Sequence, residues 1–367
     1  MTTLFIMSLN ESLSNPAYGR HLGIKKLFNE FGETTTLNLF KNRNTCGKIA
    51  HSLFAKISVK KALKQINFDS IDCVVMSTIS YFGMKYIKKL CSKKHKILIV
   101  DCVEFASPEE KRFGKLSFSY IHNTRINEHL IDKTVKTISI STYFSDFFTK
   151  KGIKTAVIPN LVDPNEIGYL KKEKHEKIEL IFAGYPQKKD ALNIVVEALC
   201  NLDESNFEQI HLTVAGLTLK DFLNKYNYLE KFESKIVKLS TFVGKVSSDE
   251  IRSLYKKADF SVLMRDNNLR VCKAGFPTKL LDSFKFSTPI IANLSSDIGE
   301  YLIDNGNGFV VDSFSEKDCE KTFAKICEKR KNGQLDIERL SKESFDTCIK
   351  CFNYIDYLDR IKELIES

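Results

Sequence analysis

Short, almost uninterrupted apolar runs recur along the chain, and they constrain its fold more than any other feature. In the first half they occupy residues 4–9, 73–76, 97–100 and 137–140. Strands covered by helices on both faces have this pattern, whereas strands with one solvated face alternate. Between the runs, stretches such as Gly19–Phe31 and Tyr81–Lys94 repeat apolar residues three and four apart and place lysines on the other face. The alternation predicts βαβ units around a buried parallel sheet.

The same pattern starts again in the second half of the chain. Its apolar runs lie at residues 178–184, 210–216, 237–246, 260–264, 289–292 and 308–311. A chain of 367 residues also exceeds the size at which one core keeps growing. The charged, poorly patterned stretch 166–177 is the best linker candidate. We therefore predict an α/β protein with two Rossmann-like, doubly wound domains at 1–165 and 166–345 that face each other across a cleft, and a C-terminal helix at 346–367 that packs back towards the first domain.

Composition limits the compartment. Residues 1–7 lack the basic start and long apolar stretch of a signal peptide, and no apolar run approaches the roughly 20 residues that cross a bilayer. The ten cysteines show no disulfide spacing and are typical of buried apolar residues in a reducing compartment. Cys348 and Cys351 form a lone C-x-x-C without a second pair, which does not favour a metal or redox site. We expect a cytoplasmic protein.

The positive charge of the chain is concentrated in its first half. Residues 1–165 contain 25 Lys and Arg against 13 Asp and Glu, out of a net charge of +10 for the whole chain. This asymmetry favours an acidic partner, and a merely solvated lysine-rich surface is the alternative. Because no nucleic-acid recognition module is present, we predict contact with the anionic inner face of the cell membrane instead. The lysines expected to make that contact are Lys56, Lys60, Lys61, Lys64, Lys85, Lys88 and Lys89.

The segment from Met264 to Asp282 contains more charged, polar and turn-forming residues that suit ligand binding than any other loop of the chain. A strand ends at Arg265, and Gly275 and Pro277 then mark a turn with a helix starting near Pro277. The free N–H groups of that helix, with Arg265 and Lys279, favour a diphosphate. Asp282 lies three residues beyond Lys279 and is placed to bind sugar hydroxyls such as those of a ribose. A surface loop with an Asp–Lys pair is the structural alternative.

A second loop follows the first strand of the second domain. Gly184 ends that strand, Lys188 and Lys189 follow, and Asp190 is predicted to cap the next helix. Neighbouring strand ends meet at one edge of a parallel sheet, so these lysines are expected to converge with Arg265 and Lys279 on one phosphate group. Such cations stabilise a departing nucleoside diphosphate. A capping turn with incidental lysines is the alternative.

The first domain offers weaker candidates. Asn15–His21 follows the first strand and opens a helix, and Glu104 lies just past a later strand as a carboxylate for acceptor contact or general base catalysis. The sequence contains no G-x-G-x-x-G, P-loop, H-E-x-x-H, D-x-D or G-x-S-x-G motif. We therefore predict no metal site and no separate cofactor.

These segments resemble glycosyltransferase family 4 with its GT-B fold. The resemblance covers about half the chain, from Thr134 to Asp312, and is strongest over Ala274–Asp282, which is similar to the variant of surface-polysaccharide transferases. Ile181–Gly184 with Lys188–Asp190 resembles the donor phosphate loop of the family, and Phe242–Val246 its base-contacting turn.

The resemblance implies a retaining hexosyltransferase that moves a sugar from a nucleotide-sugar donor to a glycan or lipid-linked glycan acceptor. It implies diphosphate contact by Lys189, Arg265 and Lys279, ribose contact by Asp282, and base contact by the backbone of the turn. The residues that it places around the donor are Gly184, Lys188, Lys189, Val243, Gly244, Lys245, Val246, Arg265, Gly275, Phe276, Pro277, Thr278, Lys279 and Asp282.

The sequence departs from the common family pattern of two glutamates separated by seven residues. Ala274 stands in the first place and Asp282 in the second, so recognition of the donor sugar must differ. A nucleotide-sugar-binding homologue that has lost turnover is the main alternative. A GT-B relative with other chemistry, such as a sugar-nucleotide epimerase, or a nucleic-acid binder is a third.

Overall fold

The computed structural model describes residues 1–12, 15–40, 54–77, 80–187 and 189–367. They form two compact units. The first contains Met1–Asp163, Lys273–Phe276 and Phe352–Ser367; the second contains Pro164–Cys272 and Pro277–Cys351. The helix Ile337–Phe352 runs through the predicted boundary at residue 345.

The first unit is built on a six-stranded parallel sheet. Its strands are β1 (Thr3–Met7), β2 (Thr34–Asn38), β3 (Cys73–Met76), β4 (Ile97–Cys102), β5 (Lys136–Ser139) and β6 (Thr155–Val157). Their order in the sheet is β2-β1-β3-β4-β5-β6. The helices of this unit are Pro16–Asn29, Ala55–Leu63, Tyr81–Lys93, Phe118–Thr124, Thr142–Thr149 and Leu358–Glu366, with a π-helical segment at Arg125–Leu130.

The second unit repeats this architecture with strands in another order. Its strands are β7 (Ile178–Ala183), β8 (Ile210–Ala215), β9 (Ser240–Gly244), β10 (Phe260–Leu263), β11 (Ile290–Asn293) and β12 (Gly308–Val311). In the order β12-β11-β10-β7-β8-β9, β8 and β9 are added on one side of β7, and β10, β11 and β12 on the other side. The topological switch point therefore lies between β7 and β10. Open α/β sheets bind ligands beyond the strand ends at such a switch point. The helices here are Leu192–Asn201, Glu204–Phe207, Leu219–Lys225, Glu233–Leu239, Ser248–Lys257, Thr278–Lys285 and Glu316–Lys331.

Each sheet is buried in its own apolar core. In the first unit, Phe5, Phe28 and Ile138 pack with Ile361 and Leu364 of the C-terminal helix. That helix presents these two side chains one turn apart, as an amphipathic helix does. The chain reaches it through a parallel bridge in which Val162 N donates to Phe352 O at 2.8 Å. The last residues are thus an integral layer of the first unit.

The predicted fold class, two doubly wound parallel-sheet domains, is confirmed. The apolar runs at 73–76 and 308–311 are strands β3 and β12 with unchanged bounds. The run at 237–246 is wrong at its start, because residues up to Leu239 belong to the helix Glu233–Leu239. Strand β2 was missed, because its polar sequence Thr-Thr-Thr-Leu-Asn forms no apolar run. Strand β6 is only three residues long and is not among the apolar runs.

None of the helices in the described part of the chain combines the length and apolarity that a membrane span needs.

Candidate functional site

Three glycines with positive φ end three neighbouring strands of the second sheet. Gly184, Gly216 and Gly244 follow or close β7, β8 and β9 with φ of +111°, +123° and +69°. A Cβ atom on Gly216 would lie 2.5 Å from the carbonyl carbon of Gly184, so the backbones approach each other too closely for a side chain. This part of the sheet edge is therefore bare backbone beside the switch point. Gly216 is not among the predicted site residues, although a glycine directly after an apolar run was the available signal.

Cationic side chains approach the same edge from β10 and from the helix that follows it. Lys279 Nζ donates to Asp190 Oδ2 at 2.6 Å, and Arg265 Nε lies 3.8 Å from Asp190 Oδ1. The side chains of Arg265 and Lys279 are only 3% and 16% exposed. A Cβ on Gly184 would stand 3.5 Å from Lys279 Nζ, which places the ammonium group directly over the glycine turn. The structure thus brings Gly184, Arg265 and Lys279 together.

Asp190 has a different role from the one predicted. The helix after β7 begins at Leu192, and its N-cap is Ala191 without a side-chain hydrogen bond, so the prediction that Asp190 caps it is wrong. The carboxylate turns towards the cations instead. Burial opposes its ionisation more than any other single influence, but the charges of Lys279, Arg265 and Lys189 together lower the pKa of Asp190 below its usual range. Asp190 is the counter-ion of the cation cluster, which we define as Lys189, Arg265 and Lys279.

The backbone around Arg265 is fixed from the next strand. Asn293, at the end of β11, accepts from Arg265 N and donates to Arg265 O, both at 2.8 Å. On the other side, Ala191 N donates to Met264 O at 2.8 Å. These bonds hold the loops after β7, β10 and β11 to one another. Asn293 was missed, because an asparagine next to an apolar run also suits an ordinary turn.

The predicted turn and helix after Gly275 are present, displaced by one residue. Pro277 is the N-cap, with φ of −77°, and the helix begins at Thr278. Gly275 is buried, and Phe276 packs edge-to-face on Phe352 in the first unit with ring centroids 5.7 Å apart. The predicted ligand contact of Phe276 therefore competes with a packing role that the ring already has.

Asp282 lies on the helix that carries Lys279, and its side chain is exposed. Within the described ranges no hydrogen bond or ion pair engages its carboxylate. A carboxylate in this setting can accept hydrogen bonds from ligand hydroxyl groups.

The remaining predicted donor residues come from the segment before Asp190 and from the turn that closes β9. Lys188 lies outside the described residues. Lys189 is half-buried, and its carbonyl accepts from Cys272 Sγ at 3.7 Å. The turn Val243–Val246 closes the edge strand β9, with Val243 and Lys245 exposed. Gly216 N donates to Gly244 O at 2.7 Å, which ties this turn to the row of glycines.

Glu104 belongs to the first unit, just past the carboxyl end of β4. Its backbone carbonyl accepts from Asn123 Nδ2 at 2.9 Å and from Asn127 Nδ2 at 3.2 Å. Asn127 lies in the π-helical segment Arg125–Leu130, an irregularity often found near functional sites. The loop that carries Glu104 is thereby fixed through its backbone, and its side chain is half-buried.

The helix that begins after Asn15 carries a buried ion pair. Arg20 donates to both carboxylate oxygens of Asp101 at 2.7 to 3.0 Å and to the carbonyls of Ile158 and Pro159 at 3.0 Å. Both side chains are buried. This arrangement ties the helix to the sheet.

The described residues include no group of three or more His, Cys, Asp or Glu side chains that would hold a metal ion.

Comparison with known proteins agrees with this geometry. Residues 168–342 match the family described as glycosyl transferases group 1. All of these residues belong to the second unit except Lys273–Phe276, which belong to the first. No curated protein is similar enough in sequence to match the chain.

Several solved structures share the fold along the whole chain at low sequence identity. HepE of Anabaena, solved with UDP-glucose, is 13% identical, with a TM-score of 0.68 over 100% of this chain and 99% of that one. Sucrose-phosphate synthase of Thermosynechococcus elongatus is 12% identical, with a TM-score of 0.69 over 100% and 98%. WaaG, a glycosyltransferase involved in lipopolysaccharide biosynthesis, is 13% identical, with a TM-score of 0.67 over 100% and 99%. The family match and the shared fold support a GT-B glycosyltransferase.

Proposed function

We propose that the chain transfers a sugar, in particular a hexose, from a nucleoside diphosphate donor held at the switch point of the second unit. The observation that carries this proposal is the cation cluster, in which Arg265 and Lys279 approach one carboxylate beside a glycine-lined edge and Lys189 adds a third positive charge. These four side chains sum to a net positive charge. A diphosphate supplies the opposite charge and fits against bare backbone. That HepE was solved with UDP and with UDP-glucose supports a nucleotide-sugar donor.

We assign the remaining donor contacts to residues of the same sheet edge and of the helix Thr278–Lys285. The N–H groups at the start of the helix Thr278–Lys285 point to the anion site, and Asp282 on the same helix binds the ribose hydroxyls. The turn Val243–Val246 contacts the base through backbone atoms. Gly275, Phe276 and Pro277 shape the loop that leads into this helix.

The cation cluster supplies the catalytic effect. When the bond between the anomeric carbon and the diphosphate oxygen breaks, negative charge grows on the leaving phosphate, and preorganised cations stabilise it. In a retaining, front-face reaction, the acceptor hydroxyl oxygen bonds to the anomeric carbon, and its proton passes to the departing phosphate. Glu104 contacts the acceptor or assists as a base. This route needs neither a protein nucleophile nor a metal ion. The methyl group of Ala274 offers no hydrogen bond to the donor sugar.

We propose a glycan or lipid-linked glycan acceptor and a role in surface polysaccharide or glycolipid biosynthesis at the inner face of the cell membrane. The excess of cations in the first half of the chain supports contact with anionic lipid. Lys56, Lys60, Lys61 and Lys64 are exposed along the helix Ala55–Leu63 or directly after it. Lys88 fits this role less well, since it donates to Leu130 O and pairs with Asp132.

Thermal stabilisation by UDP, GDP, CDP and ADP tests the donor site. A ligand that binds only the folded chain raises its melting temperature by mass action. We expect one nucleotide to stabilise the wild type and Lys279→Ala to lose most of that shift, while Lys257→Ala, an exposed lysine on the helix Ser248–Lys257, keeps it. Failure of every nucleotide at millimolar concentration would contradict the proposal.

The alternative of a binding protein without turnover is favoured by Ala274, which replaces a carboxylate of the resembling family. Release of the nucleoside diphosphate from its sugar nucleotide separates the two. Nucleotide binding without any release, with or without lipid and glycan acceptors, would identify the binding protein.

A further inference from the structure

The loop between β4 and the helix Phe118–Thr124 exposes large apolar side chains that no core explains. Phe113 is 69% exposed and Leu116 is 84% exposed, the two highest values among the large apolar residues of the described chain. They lie three residues apart in a turn closed by Leu116 N donating to Phe113 O at 3.0 Å. We call residues 111–116 the apolar tip.

The backbone of the apolar tip holds both side chains outward. Gly114 has φ of +52°, and nothing lies within 4 Å of the position its Cβ would take. Gly114 N donates to Lys111 O at 3.0 Å, and Ser117 N donates to Gly114 O at 3.1 Å. Consecutive turns of this kind fix the backbone of the tip. Because its two large side chains are already exposed, binding a partner requires no rearrangement of the backbone.

Cations surround these apolar side chains. Arg112 and Lys115 are exposed, and the Arg112 guanidinium lies 5.6 Å from the centroid of the Phe113 ring. Lys111 is half-buried, and Glu109 and Glu110 precede the tip in the turn Pro108–Glu110. The tip itself therefore combines two apolar side chains with three positive charges. An anionic lipid surface matches both features, since headgroups pair with the cations and acyl chains accept the apolar groups.

We propose that the apolar tip inserts into an anionic lipid bilayer next to the acceptor side of the first unit. The tip and Glu104 belong to the same loop after β4, and Asn123 fixes the start of that loop by donating to Glu104 O at 2.9 Å and accepting from Ala106 N at 2.8 Å. Insertion of the tip therefore holds the loop that carries the carboxylate assigned to the acceptor at the bilayer. This choice of acceptor rests on the proposed function, and it favours a lipid-linked glycan over a free one.

Co-sedimentation with vesicles tests the insertion directly. The full chain is mixed with vesicles of phosphatidylglycerol and phosphatidylcholine, or of phosphatidylcholine alone, at low and at high salt. We expect the wild type to bind the anionic vesicles and Phe113→Ser/Leu116→Ser to bind about tenfold or more weakly, because two large apolar side chains are lost from the bilayer. Arg112→Gln/Lys115→Gln should weaken the preference for anionic lipid, to which the exposed lysines of the helix Ala55–Leu63 also contribute.

A control variant removes two exposed apolar side chains elsewhere in the chain. Val237 and Ile303 are exposed side chains of the second unit, and Val237→Ser/Ile303→Ser should bind vesicles like the wild type. Equal binding by the tip variant and the wild type would overturn the proposal. A wild type that stays in solution with every vesicle would also overturn it, and would leave a protein partner as the occupant.

The outcome is separable from that of the donor site. Nucleotide stabilisation of the Phe113→Ser/Leu116→Ser variant should equal that of the wild type, which also shows that the variant is folded. Vesicle binding without any nucleotide stabilisation would reject the donor site and keep the membrane contact. Nucleotide stabilisation together with unchanged vesicle binding by the tip variant would keep the donor site and reject insertion of the tip.

Discussion

Each of the two units places a buried arginine and a buried aspartate close to its sheet, and the two pairs differ in charge balance. In the first unit, Arg20 and Asp101 neutralise each other, and the remaining guanidinium donors reach backbone carbonyls. In the second unit, Asp190 faces Arg265, Lys279 and Lys189 together. Charge that is balanced inside the protein holds elements together. Excess charge at a strand edge is available to an anionic ligand, and this difference is the reason that we propose a binding site only in the second unit.

The largest expected effect is loss of the balanced pair. Arg20→Met leaves the buried carboxylate of Asp101 without its partner, which typically costs about 3–5 kcal/mol of stability. Chemical denaturation should show this loss. If the variant remains folded, its nucleotide-dependent stabilisation should equal that of the wild type. A variant with wild-type stability and weakened nucleotide binding would reverse the roles that we assign to the two arginines.

Loss of Arg265 in the second unit should reduce activity more than stability, the opposite of the effect expected for Arg20. In Arg265→Met, Asp190 keeps its bond to Lys279, so we expect a smaller loss of stability than in Arg20→Met. Sugar transfer should fall about 100-fold to 1000-fold, the usual effect of removing one preorganised group that stabilises developing charge. Turnover of the donor identified by thermal stabilisation measures this. Unchanged kcat/KM would remove Arg265 from the site.

Lowering the pH should destabilise the first unit through protonation of His21. Burial first, then the charge of Lys25, lowers the pKa of His21 to about 4. Between pH 4 and 6.5 the unfolded chain therefore binds more protons at this position than the folded chain does, and stability falls as pH falls through that window. We expect a loss of about 1–3 kcal/mol from this residue. Denaturation of the wild type and His21→Gln at pH 7 and pH 4.5 compares the two slopes; parallel slopes would contradict the assignment.

The glycine row allows the smallest but cleanest comparison. Gly216→Ala places a Cβ 2.5 Å from backbone atoms of Gly184, whereas at Gly244 the nearest atom is Thr218 Cγ2 at 3.8 Å. Both have positive φ, which alone costs an alanine about 1–2 kcal/mol. Gly216→Ala should therefore lose more stability than Gly244→Ala and should also weaken nucleotide binding. Equal melting temperatures for the two variants would show that the edge is less tightly packed than its geometry indicates.

The βαβ class, the repetition of the sheet and the cations at the strand ends can all be predicted from the amino-acid sequence. These features depend on local periodicity and on the rule that parallel strands end at one edge, so apolar runs and loop residues are sufficient to predict them. The sequence therefore predicts that Lys279 lies near Gly184.

How those charges are balanced depends on contacts between residues that are distant in the sequence. The sequence predicts a helix cap at Asp190 because a cap is a local role, but its carboxylate accepts a hydrogen bond from Lys279, 89 positions later in the chain. Asn293 holds Arg265 across 28 positions, and Phe276 packs on Phe352 of the first unit. A sequence pattern records what a residue does to its neighbours along the chain. Which distant charge it faces, and whether it stays exposed as Leu116 does, depends on the packing of elements that local periodicity leaves open.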